Sequence, residues 1–252
     1  MTSRGFAFGG AGAYGLSYIG VVKYCQEKMI IPDEIVGTSM GSIIGAMWSN
    51  GFGWEHMRDV FRSIGWWTWA VDMLDIVDAL NDGGVVSSDT IINNVLKPLK
   101  WEQCEIPLKI VATDLTAKKM VVFDNDLTLP QAVYASMAAP LAFRGLRIDG
   151  HFYVDGGVTS NAPVEILSTD EKLLITPAQS MTSYYEPRGL LEIGMALIET
   201  MLSDATLSDL TVEHQTLYSG IKGIKHFLDF ENVDENIELG YENAKKFFEG
   251  QT

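Results

Sequence analysis

Cysteine, basic residues and long apolar runs are all scarce in this chain. Cys25 and Cys104 are its two cysteines. Two isolated thiols cannot build a disulfide framework or a zinc site, so reduced, partly buried cysteines are expected. Lys and Arg together number 18 against 33 Asp and Glu, a formal net charge of −15. Such a chain repels nucleic acid on average, and no Lys/Arg run offers a polybasic anchor for anionic lipid. No stretch approaches the ~18–20 consecutive apolar residues that span a bilayer, so no transmembrane segment is expected. Met1 to Phe8 carries one Arg and then breaks into glycines, without the apolar centre of a signal peptide. The expected location is cytoplasmic. The acid-rich stretches Asp124–Asp126 and Asp229–Glu235 do not fit a calcium-loop pattern and read as solvated turns.

What remains is ordinary for a globular protein: 47% hydrophobic and 20% charged residues over 252 positions, enough to bury a substantial core. That length accommodates one large α/β domain or two small ones. No long linker, low-complexity tract or internal repeat divides it. The reading is a single domain over 1–252, with a motif-bearing core at about 4–175 and a helical C-terminal part at about 187–252.

Gly5–Phe8 reads as a first buried strand, Gly9–Gly15 as a glycine-rich turn, and Leu16–Lys28 as a helix. Glu34–Val36 reads as a second strand entering a turn at Gly37–Gly41, with Ser42–Trp48 opening a helix that Asn50-Gly51 ends. Strands are expected at Leu108–Thr113, Met120–Phe123, Phe152–Val154 and Lys172–Ile175. Helices are expected at Leu129–Ala138, Leu190–Leu202 and Asn236–Phe248. Strand–turn–helix alternation predicts an α/β fold with a mainly parallel central sheet and helices over both faces.

Ser39 sits between Gly37 and Gly41 on the second strand-to-helix turn. A nucleophilic serine must stand clear of the sheet, and the crowding of that turn requires small residues two positions before and after. The same spacing also arises in βα loops whose glycines serve packing alone. Gly10, Gly12 and Gly15 fit a G-x-G-x-x-G pattern after a strand and before a helix, as a dinucleotide site would. That site also wants an acidic residue at the end of the second strand, where this chain has the Ser39 turn. The alternative is an oxyanion hole of converging backbone N–H groups. Adjacent parallel strands would bring both turns to one sheet edge, where open α/β sheets bind ligands. A base is needed as well. His56, His151, His214 and His226 read as surface or packing histidines, although chain order would admit His214 or His226 in a triad. Asp155, which ends a strand before Gly156-Gly157, is the stronger acidic candidate, its plain alternative being a turn aspartate that bonds its own backbone.

Together these pieces resemble the patatin-like phospholipases. Gly10-Ala11-Gly12-Ala13-Tyr14-Gly15-Leu16 with Ile19-Gly20-Val21 resembles the family's oxyanion block, and Gly37-Thr38-Ser39-Met40-Gly41 its nucleophile elbow. Ala135-Ser136-Met137-Ala138-Ala139-Pro140 resembles the stretch that precedes the second catalytic residue. Asp149 to Gly157, followed by Asn161-Ala162-Pro163, resembles the block that carries the aspartate. The resemblance covers roughly residues 4–175. Two positions depart from the family's pattern: Ala11 replaces the middle of three glycines, and Tyr14 replaces a Lys or Arg. Ala11 keeps its N–H, whereas Tyr14 removes a positive charge.

The resemblance implies a three-layer, α/β-hydrolase-related architecture and a lipid acyl hydrolase of phospholipase A type without a catalytic histidine. Ser39 is then the nucleophile and Asp155 the proton acceptor, and the implied chemistry requires neither metal nor organic cofactor. The N–H groups of Gly10, Ala11, Gly12, Ala13 and Met40 form the oxyanion hole. Burial is expected to raise the Asp155 pKa and make it a better base. The rival readings are a non-catalytic or weakly active lipid- or partner-binding member of the fold, and an unrelated hydrolase or nucleotide-binding protein. A lipid substrate requires peripheral membrane contact. Trp66, Trp67 and Trp69 in Ile64–Leu74 fit either an interfacial lid or a core segment, and the net charge favours apolar over electrostatic contact.

Overall fold

Phe6 and Phe8 of the first strand, β1 (Arg4–Phe8), join one buried cluster and Ala7 joins another. This period of two is what a strand covered on both faces produces. The computed structural model describes residues 2–63, 84–86, 96–177, 212–224 and 229–250, with single positions 196 and 200. Trp66, Trp67, Trp69, His226 and most of the helix expected over Leu190–Leu202 lie outside them.

After β1 come α1 (Ser17–Glu27), β2 (Glu34–Thr38), α2 (Met40–Ser49), α3 (Trp54–Ser63) and β3 (Gly84–Val86). Then follow β4 (Leu108–Asp114), β5 (Lys119–Phe123), α4 (Leu129–Met137), β6 (Leu141–Phe143), β7 (Leu146–Ile148) and β8 (His151–Asp155). β9 (Glu171–Thr176), β10 (Gln215–Tyr218) and α5 (Val233–Glu249) complete the described elements. The alternation of β1 recurs: Ile35 against Val36, Ile110 and Ala112 against Val111, Leu173 and Ile175 against Leu174. The first set packs with residues of α1, α2, α4 and α5 in the larger cluster; the second meets Ala162, Val164 and Leu167. Each such large aliphatic or aromatic side chain contributes about 1.5–3 kcal/mol by leaving water. α1 and α5 pack at backbone distance, because a methyl on Gly20 would collide with the Ile237 carbonyl and one on Gly240 with the Ser17 carbonyl.

The main sheet runs β10-β9-β1-β2-β4-β8-β7, with β5 also paired to β4. The α/β class expected from the sequence is the one observed, and the sheet is parallel from β10 through β4. It is nevertheless mixed, since β5, β8 and β7 pair antiparallel. The cause is connection length, since parallel neighbours need a crossover of a dozen or more residues. β4 and β5 are joined by 115–118 alone, and β7 and β8 by Asp149-Gly150. Those two residues have φ of +50° and +82°, as a type I′ hairpin turn requires. The C-terminal part is not wholly helical, since β10 adds an edge strand to β9. Asp124–Asp126 is exposed as expected, whereas Asp229 is buried and Val233 already begins α5.

One register positions the site. Along β4, Thr38 pairs with Val111 and Asp155 with the next residue, Ala112. β5 pairs with both positions as well, so β2 and β8 must share the other edge of β4. β2 runs parallel to β4 and β8 antiparallel, and their C-terminal ends therefore meet head to head.

Candidate active site

Ser39 is the first residue after β2 and the residue before α2, with φ +52° and ψ −122°. The helix begins at Met40, two residues earlier than the sequence pattern marks, so no slack separates strand from helix. The left-handed φ is costly for a residue with a Cβ, and the surroundings hold it in place. The Ser39 carbonyl accepts from Ser42 N–H at 2.9 Å and from Ser42 Oγ at 2.7 Å. A Cβ on Gly37 would lie 2.6 Å from the Gly41 carbonyl, and one on Gly41 would collide with that of Phe8. Both glycines are therefore demanded by close backbone approach.

Ser39 Oγ donates to Asp155 Oδ2 at 2.7 Å. The other carboxylate oxygen, Oδ1, accepts from Gly157 N–H at 2.8 Å. Asp155 is 1% exposed and Ser39 9%. Burial pushes the Asp155 carboxyl up to about 6, against the lowering pull of the bonds from Ser39 and Gly157. A methyl on Gly156 would collide with the Val111 carbonyl. The strand end thus has room for Asp-Gly but not for Asp followed by a larger residue.

The end of α4 holds both residues by their backbones. Ser39 N–H donates to Ser136 Oγ at 2.8 Å, and Ser136 Oγ donates to the Val111 carbonyl at 2.6 Å. Two residues on, the Ala138 carbonyl accepts from Asp155 N–H at 2.9 Å. Ser136 has no solvent exposure. It fills the gap where β2 turns away from β4, and without it a buried donor and a buried acceptor would be orphaned. The sequence places Ser136 in the stretch that resembles the family pattern but gives it no role of its own, because a serine near a helix end carries no signal of what it will bond.

The glycine loop follows β1 and lies against the serine: a methyl on Gly10 would sit 3.3 Å from Ser39 Cβ, and one on Gly15 2.6 Å from Met40 Cγ. Its first two peptide groups are already engaged. Gly9 N–H donates to the Ile175 carbonyl and the Gly9 carbonyl accepts from Tyr18 Oη. Gly10 N–H donates to the Asn161 carbonyl at 2.9 Å, while Asn161 Nδ2 donates to the Gly10 carbonyl. This corrects one expectation: Gly10 anchors the loop and has no N–H to offer an oxyanion. The N–H groups of Ala11, Gly12 and Ala13 carry no acceptor among the described residues. Gly12 turns the chain at φ +52° into a short 3-10 helix, Gly12–Leu16. Tyr14 is buried in the main core.

No described histidine bonds the Asp155 carboxyl. His151 Nδ1 meets Asp114 Oδ2 at 2.6 Å, His214 meets the Val212 carbonyl, and His56 stacks on Phe52. The thiols are also poor nucleophiles, since burial pushes Cys25 up to about 12 and Cys104 up to about 11. Both are free. Among the described residues no group of three or more His, Cys, Asp or Glu is placed to hold a metal ion.

A serine on a strained strand-to-helix turn, bonded directly to a buried aspartate beside a glycine loop, can activate a hydroxyl without an imidazole. The family model described as patatin-like phospholipase matches residues 6–168. The chain belongs to the patatin-like phospholipase family. That match runs from within β1 to the segment just before β9 and includes the glycine loop, Ser39, Ser136, Asp155 and Asn161.

Among similar proteins, an uncharacterised NTE family protein of Mycobacterium tuberculosis is 30% identical over 167 residues, 63% of this chain and 43% of that protein. Patatin-like phospholipase domain-containing protein 6 of Mus musculus is 28% identical over 281 residues, 97% of this chain and 20% of that protein. Its Homo sapiens counterpart is 33% identical over 168 residues, 63% of this chain and 12% of that protein. The chain thus spans less than half the length of these relatives. The crystal structure of VipD from Legionella pneumophila matches with a TM-score of 0.55 at 15% identity, covering 99% of this chain and 67% of that one; the likeness is one of fold. No helix among the described residues is long and apolar enough to cross a membrane.

Proposed function

We propose that the protein is a serine lipid acyl hydrolase of phospholipase A type, cleaving carboxylic ester bonds of lipids through a Ser39 acyl-enzyme. The observation that carries this reading is the 2.7 Å hydrogen bond from Ser39 Oγ to Asp155 Oδ2. As Ser39 Oγ attacks the ester carbonyl carbon, its proton passes to Asp155 and the carbonyl oxygen becomes an oxyanion. The N–H groups of Ala11, Gly12 and Ala13, with Met40 at the start of α2, are the donors that would receive that charge. The tetrahedral species collapses, the C–O bond to the alcohol breaks, and Asp155 returns the proton to the leaving oxygen. Water then attacks the acyl-enzyme, Asp155 takes its proton, and the carboxylic acid leaves as Ser39 recovers its own.

The raised pKa favours this assignment. An aspartate at its usual value near 3.9 is a weak base at neutral pH, whereas one at about 6 retains the proton better while remaining largely ionised above pH 7. The family's description as patatin-like phospholipase supports lipid as the substrate class.

A fluorophosphonate probe and a lipid panel read by mass spectrometry test the reading together. Labelling at Ser39, lost in Ser39→Ala, with free fatty acid released by the wild type alone, is the expected result. A probe that labels no serine, or fatty-acid release that survives Ser39→Ala, would overturn it.

A further inference from the structure

β4 does not stop at the site. Beyond Ala112, opposite Asp155, it runs on to Asp114 and turns at Leu115, roughly 10 Å past the carboxyl at ordinary strand rise. The turn stands at the C-terminal edge of the parallel strands, the edge where Ser39 and the glycine loop lie. All six residues from Leu115 to Met120 are exposed, Leu115 at 42% and Met120 at 36%.

This tip is built rather than loose. Asp114 Oδ1 accepts from the N–H groups of Thr116 and Ala117, and Thr116 Oγ accepts from Phe152 N–H. Leu115 N–H donates to the Phe152 carbonyl, and Phe152 pairs with Arg147 on β7, whose guanidinium lies 4.3 Å from the ring centre. Leu115, Phe152 and Arg147 therefore share one face. Between the two apolar residues stand Lys118 and Lys119, which make no ion pair among the described residues. Asp114 is buried and spends its other oxygen on His151, so it does not neutralise them. Over the two adjoining turns, Lys118, Lys119 and exposed Arg147 face one exposed carboxylate, Asp149. On a chain of net charge −15 this is a local reversal of sign.

We propose that the Leu115–Met120 tip, with Arg147 beside it, is the surface by which the protein docks on an anionic lipid bilayer. The proposal takes from the hydrolase reading only that the ligand is lipid. Apolar side chains that enter the interface and lysines that meet anionic headgroups are the two signals that together hold a peripheral protein on a membrane. The net charge therefore misleads about the contact. Met29 and Ile31 are more exposed, at 85% and 71%, but they lie before β2 at the opposite sheet edge, between Glu27 and Asp33.

The test is co-sedimentation of the full chain with vesicles of phosphatidylcholine alone or mixed equally with phosphatidylserine. Wild type is expected to favour the mixed vesicles. Lys118→Ala/Lys119→Ala weakens that binding roughly tenfold or more, with little change on phosphatidylcholine. Leu115→Ser/Met120→Ser weakens binding to both, and Met29→Ser/Ile31→Ser to neither. Cleavage of a short soluble ester is unchanged in all three variants, because none of these residues belongs to the site. The proposal fails if wild type ignores phosphatidylserine, if the tip variants bind as wild type, or if the Met29/Ile31 variant loses as much. It also fails if the tip variants shift the sedimentation mass without lipid, since the tip would then meet a second copy. Vesicle binding through the tip by a protein that cleaves no ester leaves the docking surface standing and overturns the hydrolase reading.

Discussion

Ser136 Oγ stands between Ser39 N–H and the Val111 carbonyl, at 2.8 and 2.6 Å, and so bridges the elbow to the strand on which Asp155 is registered. Ser136→Ala leaves both groups buried and unpaired, at about 1–3 kcal/mol for each unsatisfied group. Loss of stability alone would make Ser136 merely structural. The expected result is larger: kcat on a soluble ester, normalised to titratable Ser39, falls about tenfold or more with KM little changed, because the strained φ of Ser39 relaxes and the hydroxyl leaves its line to Asp155. Wild-type kcat per titrated serine in a destabilised variant would refute the positioning role.

Activity should follow the ionisation of Asp155. Its carboxyl, pushed up to about 6 by burial, accepts a proton only when ionised. The acid limb of kcat/KM for a soluble ester is therefore expected to rise with a midpoint near 6, rather than near the ordinary aspartate value of about 4. Asp155→Asn removes the base and lowers kcat by about 10²–10⁴, while His214→Ala retains the full rate. A pH profile that survives Asp155→Asn, or one abolished by His214→Ala, would transfer the base role to a histidine.

Some of this was legible in the residues and some was not, for physical reasons. Gly37 and Gly41 announce the elbow because backbone packs where a Cβ would be; crowding leaves a compositional trace. The same holds for Asp155-Gly156. Ser136 stands in a stretch that resembles the family pattern, but its role leaves no trace there, since that role exists only where β2 and β8 meet on β4 and local pattern does not encode that junction. Gly10 reads as a donor in the sequence for a similar reason, since its N–H is claimed by a carbonyl 151 residues away, that of Asn161. The antiparallel edge was within reach. Asp149-Gly150 is a strong hairpin signal, although in the sequence it also falls in the block that carries the aspartate. β10 is a four-residue edge strand, Gln-Thr-Leu-Tyr, that buries a single side chain, Leu217, and too little alternation is present to mark it.

Two glycine substitutions should separate steric demand from backbone strain. At Gly41 a methyl collides with the carbonyl and side chain of Phe8, neither of which can yield without moving β1. Gly41→Ala is expected to cost about 3 kcal/mol or more and to abolish labelling of Ser39. At Gly150 φ is +82° but nothing lies within 4 Å of the added methyl, so Gly150→Ala costs only about 1–2 kcal/mol of left-handed strain and leaves labelling intact. Denaturant midpoints and probe labelling on the same samples read both. Equal destabilisation by the two would mean that conformation, not crowding, selects glycine at the elbow.

The buried carboxyl also makes stability depend on pH, in a direction opposite to that of a salt-bridged aspartate. In the unfolded chain Asp155 gives up its proton near 3.8, and in the folded protein only near 6. Between those values the folded state binds the extra proton, so the contribution of Asp155 to stability is complete below about pH 4 and is lost as pH rises through about 6. The full span corresponds to about 3 kcal/mol. Asp155→Asn has no charge to bury, and its amide can donate to Ser39 Oγ while its carbonyl accepts from Gly157 N–H. The variant is therefore expected to be more stable than wild type at pH 8, by up to about 3 kcal/mol, with the gap closing as pH falls through 6 toward 4. Urea midpoints of the two proteins across that range measure it. A gap that is constant, or that widens toward acid, would mean that the folded protein carries the Asp155 charge at little cost, and the explanation of its basicity by burial would fall with it.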